Sequence, residues 1–312
     1  MARPLRIEYP GAFYHVTSRG NEQKDIFKSR NDREQFCSYL KSSAERYGAN
    51  VHAYCLMSNH YHLLLETPEG NLSQIMRHIN GAYTTYFNSK RKRAGHLFQG
   101  RYKAILIEAD EYAAELSRYL HLNPVKAGMV AKPQEYEWSS YRYYLGQTAT
   151  PAWLRTDFVL SYFGGMAGME NYREFVNEFP VDDSESPLTK TVAATVLGSA
   201  EFVRRIAGDH LAENPADRNV PAVRKLTHPT LEEIIITVEK LIADDNSLSR
   251  KVSIFFCHRY SGARLREVGE RFGMSDAAIT QASKRIRVAV EREGNLRARL
   301  GRVAKELRIV LS

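Results

Sequence analysis

Two histidines in the stretch "MSNHYHLLLE" (57–66) are the residues whose type and spacing point most directly to chemistry. The run "HYHLLLET" is typical of a β-strand, and alternate residues of a strand share one face of the sheet. His60 and His62 therefore project to the same side, and neutral imidazole is a common ligand of divalent cations. Taken alone the pair is a weak signal, because histidines on a strand can equally be half-buried structural residues.

A second pair of polar residues occurs in "SRYLHLNPVKAG" (117–128), where Tyr119 and Asn123 lie four positions apart. That spacing places both side chains on one face of a helix, one turn from each other. A phenol can act as a nucleophile, although its ordinary pKa near 10 means that it needs a cation or an activated substrate. We therefore expect Tyr119 to attack a phosphorus atom while a metal ion, held partly by the amide oxygen of Asn123, polarises a non-bridging oxygen. The structural alternative is a packed tyrosine, with Asn123 ending the helix before Pro124.

Two more histidines belong to the same predicted domain. His15, in "FYHVTS", belongs to a predicted strand that should neighbour the strand of His60 and His62. It could orient a ligand histidine, although a purely structural role is the simpler interpretation. His121 follows Tyr119 by two positions, so it should point away from the tyrosine, and we leave it out of the candidate site.

The elements that must position these side chains alternate between strand and helix patterns over the first 130 residues. Predicted strands are 12–20, 51–58, 60–67 and 101–109, and predicted helices are 31–48, 71–93 and 110–128. The first helix is expected to be capped by Asn31 or Asp32 and to end at Gly48, and the third to break near Pro124. The order β-α-β-β-α-β followed by a helix predicts an α+β fold, a ferredoxin-like split βαβ sheet with packed helices.

The rest of the chain divides by composition. Aromatic segments between 131 and 180 are expected to pack on the first domain, and stretches at 180–190 and 212–223 read as linkers. The last ninety residues have helical patterns throughout. We therefore expect three regions: a first domain over 1–145, an extension and acidic linker over 146–223, and a basic all-α domain over 224–312.

Overall composition bounds the class of protein. The chain has 312 residues and 43% hydrophobic content, which suits two globular domains. Since it has neither an 18-residue apolar run nor a secretory signal, we expect no membrane association. Three cysteines (Cys37, Cys55 and Cys257) lie far apart, as is typical of buried thiols in a reducing cytoplasm. We therefore expect a cytoplasmic protein.

The net charge of +8 is unevenly distributed. Residues 1–145 carry +6, residues 146–249 carry −7 and residues 250–312 carry +9. Two basic ends suggest two separate contacts with a polyanion, for which nucleic acid is the obvious candidate. The segment "NSKRKRAGHLFQGRYK" (88–103) interleaves cations with aromatic rings, a combination suited to single-stranded DNA; the alternative is a solvated loop. Predicted contacts in this domain are Arg19, Asn21, Lys90, Arg91, Lys92, Arg93, Phe98, Gln99, Arg101, Tyr102 and Lys103.

These motifs together resemble a known family. "MSNHYHLLLE" resembles the histidine–hydrophobic–histidine (HUH) motif of single-tyrosine transposases, and "YLHLNPVKAG" resembles their nucleophile helix. "RPLRIEYPGAFYHVTSRGN" and "GHLFQGRYKAILIE" further resemble REP-associated tyrosine transposases, so that the likeness covers about the first 145 residues. The resemblance implies that Tyr119 is the nucleophile and that His60, His62 and Asn123 bind Mg²⁺ or Mn²⁺. Related compact enzymes usually have glutamine where this chain has Asn123, which offers the same amide oxygen on a shorter side chain.

The resemblance also implies a reaction. The family cleaves single-stranded DNA beside a hairpin, leaving a 5′-phosphotyrosine and a free 3′-hydroxyl that can later rejoin strands. No nucleotide cofactor is then needed, and the protein would act as a monomer or a homodimer on DNA hairpins.

The C-terminal segment "LREVGERFGMS" (265–275), followed by a new helix from Asp276, predicts a helix-turn-helix. It resembles the C-terminal DNA-binding domain of the replication initiator DnaA, although the initiator's His-Thr-Thr is replaced by Ala-Ala-Ile. We expect duplex DNA to be contacted by Ser275, Asp276, Ala277, Ala278, Thr280 and Gln281 in the major groove and by Lys284, Arg285 and Arg287 at phosphates. A purely structural helical bundle is the alternative.

The sequence is compatible with three functions. The first is a single-tyrosine transposase or recombinase that acts at palindromic repeats. The second is a replication initiator or conjugative relaxase of the HUH type, which is disfavoured because the sequence has no ATP-binding glycine loop. The third is a non-catalytic DNA-binding regulator derived from a transposase. We would expect such a regulator to have lost Tyr119 or a histidine, whereas all four residues are present.

Overall fold

The computed structural model describes residues 6–178, 186–211, 226, 228–307 and 309. These residues form two units, one covering Arg6–Phe202 and one beginning at Val203. Within the predicted linkers, residues 180–185 and 212–223 lie outside the described residues, as does the predicted domain boundary at 223/224.

A five-stranded sheet forms the centre of the first unit. Its strands are β1 (Ala12–Arg19), β2 (Asn50–Leu56), β3 (His60–Thr67), β4 (Lys103–Ile107) and β5 (Val196–Leu197). Their order is β2-β3-β1-β4-β5, with antiparallel pairs except for the parallel pair β4–β5. The helices are α1 (Arg30–Tyr47), α2 (Leu72–Lys90) and α3 (Ala109–Lys126). The predicted split βαβ arrangement is confirmed for the first four strands, whereas β5 was not predicted.

Alternation along the strands gives the sheet two different faces. Tyr61 on β3 is fully buried and packs against Phe36 of α1, so α1 and α2 cover that face. His62 and Leu64 point to the other face, where Leu64 joins a core cluster with Leu120 of α3. The candidate histidines therefore lie on the face that is covered by the candidate nucleophile helix.

Two predicted helix ends differ from the structure. α1 begins at Arg30 and is capped by Ser29, which accepts a hydrogen bond from the Asp32 N–H, so Asn31 and Asp32 are not its caps. α3 does not break near Pro124 but continues to Lys126. Proline removes only one late hydrogen bond of the helix, and that loss is tolerated so close to its end.

The aromatic extension packs on α3. Three short helices, α4 (Tyr141–Tyr144), α5 (Asp157–Ser161) and α6 (Met169–Asn177), bury several rings in the cluster that contains Leu120. A further helix, α7 (Ala200–Leu211), begins where the first unit ends. α3, which carries Tyr119, is thus held between the sheet and the extension.

The second unit is helical, as predicted. Its helices are α8 (Leu231–Leu241), α9 (Asn246–Tyr260), α10 (Leu265–Phe272), α11 (Asp276–Arg292) and α12 (Gly294–Glu306). Gly273 ends α10 with φ +65°, and Ser275 caps α11 by accepting a hydrogen bond from the Ala278 N–H. A Cβ on Gly269 would approach the Met274 carbonyl oxygen to 2.7 Å, so this tight connection needs glycine there. No helix among the described residues combines the length and apolarity needed to cross a membrane.

Candidate active site

The two motif histidines lie side by side at the start of β3. Their ring centroids are 4.9 Å apart, with the ring planes at 80°. His62 is buried and His60 is half-buried. The Asn59 Oδ1 lies 2.7 Å from the His60 Nδ1. Because an amide oxygen only accepts, that nitrogen carries the proton, and the His60 Nε2 keeps its lone pair.

Tyr119 approaches this pair from α3 of the same chain. Its ring centroid lies 5.9 Å from that of His62, with the two planes perpendicular. Tyr119 is half-buried, so the residue is not sealed in the interior. The Lys126 ammonium lies 5.9 Å from the centroid of the tyrosine ring. The structure thus brings the tyrosine and the histidine pair together without a second subunit.

Asn123 lies one helical turn after Tyr119. Its Nδ2 donates a hydrogen bond of 2.8 Å to the Tyr119 carbonyl oxygen. Because that carbonyl can only accept, the amide nitrogen must face it, and the Asn123 Oδ1 is turned away from this contact. The backbone of Tyr119 therefore fixes the orientation of the Asn123 amide.

Burial keeps both histidines in the neutral form that coordinates cations. Desolvation lowers the pKa of His62 well below its ordinary value, and the neighbouring His15 and His60 lower it further. Desolvation, helped by Arg19, lowers the pKa of His60 to about 4. Arg19 lies opposite His60 in the register of β1 and β3. Both imidazoles are therefore uncharged near pH 7.

The donor atoms present here fit a divalent cation. The His62 Nε2 is buried and has no hydrogen-bond partner in the part of the chain that the structure describes. Across those same residues, no group of three or more His, Cys, Asp and Glu side chains could hold a metal ion. A site with three protein ligands would therefore need a residue of another type, and the Asn123 Oδ1 is of the kind that Mg²⁺ and Mn²⁺ prefer.

His15 contacts the site directly. Its Nε2 lies 2.9 Å from the His62 Nδ1, and its ring is edge-on to Tyr119 at 6.1 Å between centroids. The sequence allowed either a ligand-orienting or a structural role for this residue. The contact with His62 depends on strand register, which periodicity does not reveal.

The predicted DNA-contacting residues of the first unit fall into two groups. Lys92, Arg93, Gln99, Arg101 and Lys103 are exposed, as is Arg19. Asn21 is half-buried and donates its backbone N–H to the Leu97 carbonyl oxygen. DNA contact by these seven residues stays a prediction.

The second group makes contacts within the protein. Lys90 and Arg91 both bind the buried carboxylate of Asp32. Phe98 is only 8% exposed and packs near Tyr61 and Tyr83. DNA contact by Lys90, Arg91 and Phe98 stays a prediction.

Tyr102 is also engaged within the protein. It is half-buried beneath the Arg6 guanidinium, 4.2 Å from the ring centroid, and its hydroxyl lies 3.4 Å from the Ser73 Oγ. The order of residues in the segment 88–103 does not distinguish these engaged side chains (Lys90, Arg91, Phe98 and Tyr102) from the exposed ones.

The predicted contacts of the second unit lie on α11 and its cap. Ser275, Asp276, Ala277, Thr280, Gln281, Lys284, Arg285 and Arg287 are exposed, and Ala278 is half-buried. Ile279 and Ile286 on the same helix are buried in the core. The exposed positions therefore form the face that α11 presents outward from its own unit, and DNA contact by them stays a prediction.

His121, which was left out of the candidate site, helps to hold α3 in place beside it. His121 is fully buried, and its Nδ1 and Nε2 lie 2.8 Å from the Tyr172 hydroxyl and the Ser140 Oγ respectively. Ser140 in turn accepts a hydrogen bond from the Tyr54 N–H of β2. These bonds tie α3 to the sheet and to α6, next to Tyr119. No local pattern reveals partners so distant in sequence.

Comparison with known proteins gives one family and a few relatives. Residues 9–123 match the family described as "Transposase IS200 like". A Haemophilus influenzae protein provisionally named as a REP-associated tyrosine transposase is 29% identical over 118 residues, covering 34% of this chain and 67% of the relative.

Two solved structures are also similar. One is a REP-associated tyrosine transposase bound to a REP hairpin, at 17% identity and TM-score 0.41, covering 51% of this chain and 93% of that one. The other is a provisionally assigned transposase from Deinococcus radiodurans, at 18% identity and TM-score 0.28, covering 38% and 95%. Both scores are below 0.5, so these two likenesses carry no argument about function.

Proposed function

We propose that residues 9–123, which match the family described as "Transposase IS200 like", form a transposase domain, and that the protein cleaves and rejoins single-stranded DNA at hairpin-forming repeats. The observation that carries the proposal is the position of Tyr119, whose ring is edge-on to His62 of the same chain at 5.9 Å. Tyr119 and the two motif histidines would then belong to one site within one subunit.

The proposed reaction is a reversible transesterification. The Tyr119 oxygen attacks the scissile phosphorus and loses its proton, an O–P bond forms, and the bond to the 3′-oxygen breaks. The departing 3′-oxygen takes up a proton and becomes a free 3′-hydroxyl, while the 5′ end stays attached to Tyr119 as a phosphotyrosine. Attack by a 3′-hydroxyl on that phosphotyrosine reverses the process. Because one phosphodiester is exchanged for another, the reaction needs no nucleotide cofactor.

The His60 and His62 Nε2 atoms and the Asn123 Oδ1 would hold Mg²⁺ or Mn²⁺. A bound divalent ion supplies charge neutralisation at a non-bridging phosphate oxygen. Asn123 also bonds the Tyr119 carbonyl oxygen, so it would orient the nucleophile's own turn of helix. The exposed cation of Arg19, opposite His60, suits the scissile phosphate.

Cleavage can be tested with a labelled single strand that carries a hairpin, in the presence of Mg²⁺ or Mn²⁺. The native chain should form a covalent protein–DNA adduct that survives denaturing electrophoresis, and Tyr119→Phe should form none. Tyr112→Phe is a matched control because Tyr112 is also half-buried on α3. An adduct that persisted in Tyr119→Phe would remove this residue from its role. Absence of any adduct with the native chain would favour a non-catalytic regulator.

For the second unit we propose duplex DNA binding through the exposed face of α11. Its support is the +9 charge of residues 250–312 and the exposure of Lys284 and Arg287. Lys284→Ala/Arg287→Ala should weaken duplex binding and lower the salt slope by about two, since each phosphate contact contributes about 0.9. Arg297→Ala/Lys305→Ala removes two exposed cations from α12 as the control. Equal losses in both double variants would indicate non-specific attraction to the unit's charge.

A further inference from the structure

His15 is a buried histidine in direct contact with one of the motif histidines. It is 2% exposed, and its Nε2 lies 2.9 Å from the His62 Nδ1. The two ring planes are within 8° of each other, with centroids 5.2 Å apart. The 5.2 Å between centroids is about the 2.9 Å between the two nitrogens plus the distance from each centroid to its own nitrogen. The rings therefore meet end to end in one plane, as a well-directed N–H···N hydrogen bond requires.

The register of the sheet explains this contact. Thr17 of β1 lies directly opposite His62 of β3, and His15 lies two residues earlier on the same face. Diagonal neighbours of an antiparallel pair are within reach of long side chains. Both rings lie on the sheet face that α3 covers, where water cannot replace the hydrogen bond.

The shared hydrogen bond admits two arrangements of protons in the neutral pair. In one, the His62 Nδ1–H donates to the His15 Nε2, and the His62 Nε2 carries a lone pair. In the other, the His15 Nε2–H donates to the His62 Nδ1, and the His62 Nε2 carries the hydrogen. The buried His62 Nε2 and His15 Nδ1 have no hydrogen-bond partners among the described residues. Each arrangement thus leaves one N–H unpaired, and the protein alone favours neither strongly.

We propose that His15 is a positioning residue: when a divalent cation occupies the His62 Nε2, the His15 Nε2 accepts the Nδ1–H of His62 and so fixes the orientation of that ring toward the cation. A cation at the His62 Nε2 excludes the other arrangement, because a protonated nitrogen cannot coordinate. This inference rests on the proposed function, since it needs a cation at His62. Because the His15 Nε2 accepts this hydrogen bond, His62 can keep its proton on Nδ1, the ring nitrogen remote from the cation.

His15 does not serve as a ligand itself. Its Nε2 is occupied by His62, and its Nδ1 is on the opposite side of the ring. Its contribution is therefore exerted through His62 alone.

The tautomer can be observed directly in the native full chain. Long-range ¹H–¹⁵N spectra distinguish protonated from bare ring nitrogens, and the His62 signals are those lost in His62→Gln. With saturating Mg²⁺ we expect the proton of His62 on Nδ1 and that of His15 on its own Nδ1. A His62 proton on Nε2 in the Mg²⁺-saturated protein would overturn the proposal.

Cation affinity provides the second measurement, with free Mn²⁺ measured by electron paramagnetic resonance. His15→Leu should raise the Mn²⁺ Kd about 10- to 100-fold, the usual effect of losing such a partner. His15→Gln keeps an acceptor oxygen and should stay within about threefold of the native Kd. His52→Leu is the control, because His52 is a buried strand histidine that bonds Glu66 and Arg155 outside the site.

The outcomes separate this inference from the proposed function. If the native chain binds Mn²⁺ and folded His15→Leu binds it equally well, the role of His15 is refuted while the catalytic proposal stands. If the native chain forms the Tyr119 adduct without binding Mn²⁺, the cation site and the role of His15 both fail.

Discussion

The buried carboxylate of Asp32 is expected to hold α1 to the end of α2, and its removal tests this contact. This carboxylate is 0% exposed in the first turn of α1. It accepts hydrogen bonds from Arg91 and from Lys90 (3.0 Å) at the end of α2, and from the Lys28 N–H at 2.9 Å. Asp32→Ala removes the carboxylate and leaves the two cations without their anionic partner between the helices.

The expected cost follows from the burial of each partner. Breaking a buried ion pair by removing one partner costs about 3–5 kcal/mol, because the other charge stays uncompensated. The side chains of Lys90 and Arg91 are 36% and 20% exposed, so water can replace part of what they lose. We therefore expect a loss at the lower end, about 3 kcal/mol. For a domain of this size that corresponds to a fall in Tm of about 6–12 °C.

Urea unfolding followed by tryptophan fluorescence can measure this in the full chain. The sequence has two tryptophans, Trp138 and Trp153, and both lie in the unit Arg6–Phe202. The signal thus reports the unfolding of that unit alone. Glu34→Ala is the matched control, since Glu34 is an exposed acid of the same helix that pairs with Arg30 on the surface. Such a pair contributes under about 1 kcal/mol.

Two results would contradict this expectation: unfolding of Asp32→Ala at the native urea midpoint, or equal destabilisation of Glu34→Ala. The first result would mean that the carboxylate does not hold α1 to α2, and it would return Lys90 and Arg91 to the set of cations that are free to bind DNA. The second would mean that the buried carboxylate contributes no more than a surface acid.

Three more predictions concern the same region of the first unit. Lys92→Ala/Arg93→Ala should weaken hairpin binding and lower its salt slope by up to about two, whereas Lys90→Ala should act mainly on stability; titrations at several salt concentrations separate the two effects. Phe98→Ala should cost about 3 kcal/mol of unfolding free energy, because its ring is buried, and tryptophan fluorescence in urea measures it. Burial raises the pKa of Asp32, but hydrogen bonds from Arg91 and Lys90 outweigh it and hold the pKa at about 2, below the ordinary 3.8. The stability from this carboxylate should therefore be lost as the pH falls from about 4 to 2, and urea midpoints at pH 5, 4 and 3 should fall less steeply in Asp32→Asn than in the native chain.

Local periodicity was enough to predict the main elements of the first domain. Strand alternation placed His60 and His62 on one face, and helical spacing placed Tyr119 and Asn123 on one face. Both inferences depend on backbone geometry within one element, which does not change with tertiary context. The helix ends were less accurate. Ser29 replaced the expected cap of α1, and α3 continued through Pro124, because several residues near a helix end can satisfy its backbone.

The basic loop shows where such reasoning stops. Lys90, Arg91, Lys92 and Arg93 are indistinguishable as a run of charges, yet the first two face a buried carboxylate 58 and 59 positions away in sequence. From the sequence Phe98 is an aromatic residue of a predicted loop. An isolated β-bridge between Gly20 and Phe98 brings that segment against β1, and the ring is buried in the core. Composition cannot distinguish a cation that solvates a surface from one that neutralises an interior charge.

The amino-acid order by itself determined which side chains share a face, because that depends on repeats of two and of about 3.6 residues. Only the tertiary structure decided which faces meet. The approach of Tyr119 to His62, the bond between His15 and His62, and the anchoring of α3 through His121 all depend on strand register and helix packing. Those contacts join residues that are 19 to 57 positions apart, and they form because burying the whole sheet face is favourable, not because any local pattern encodes them.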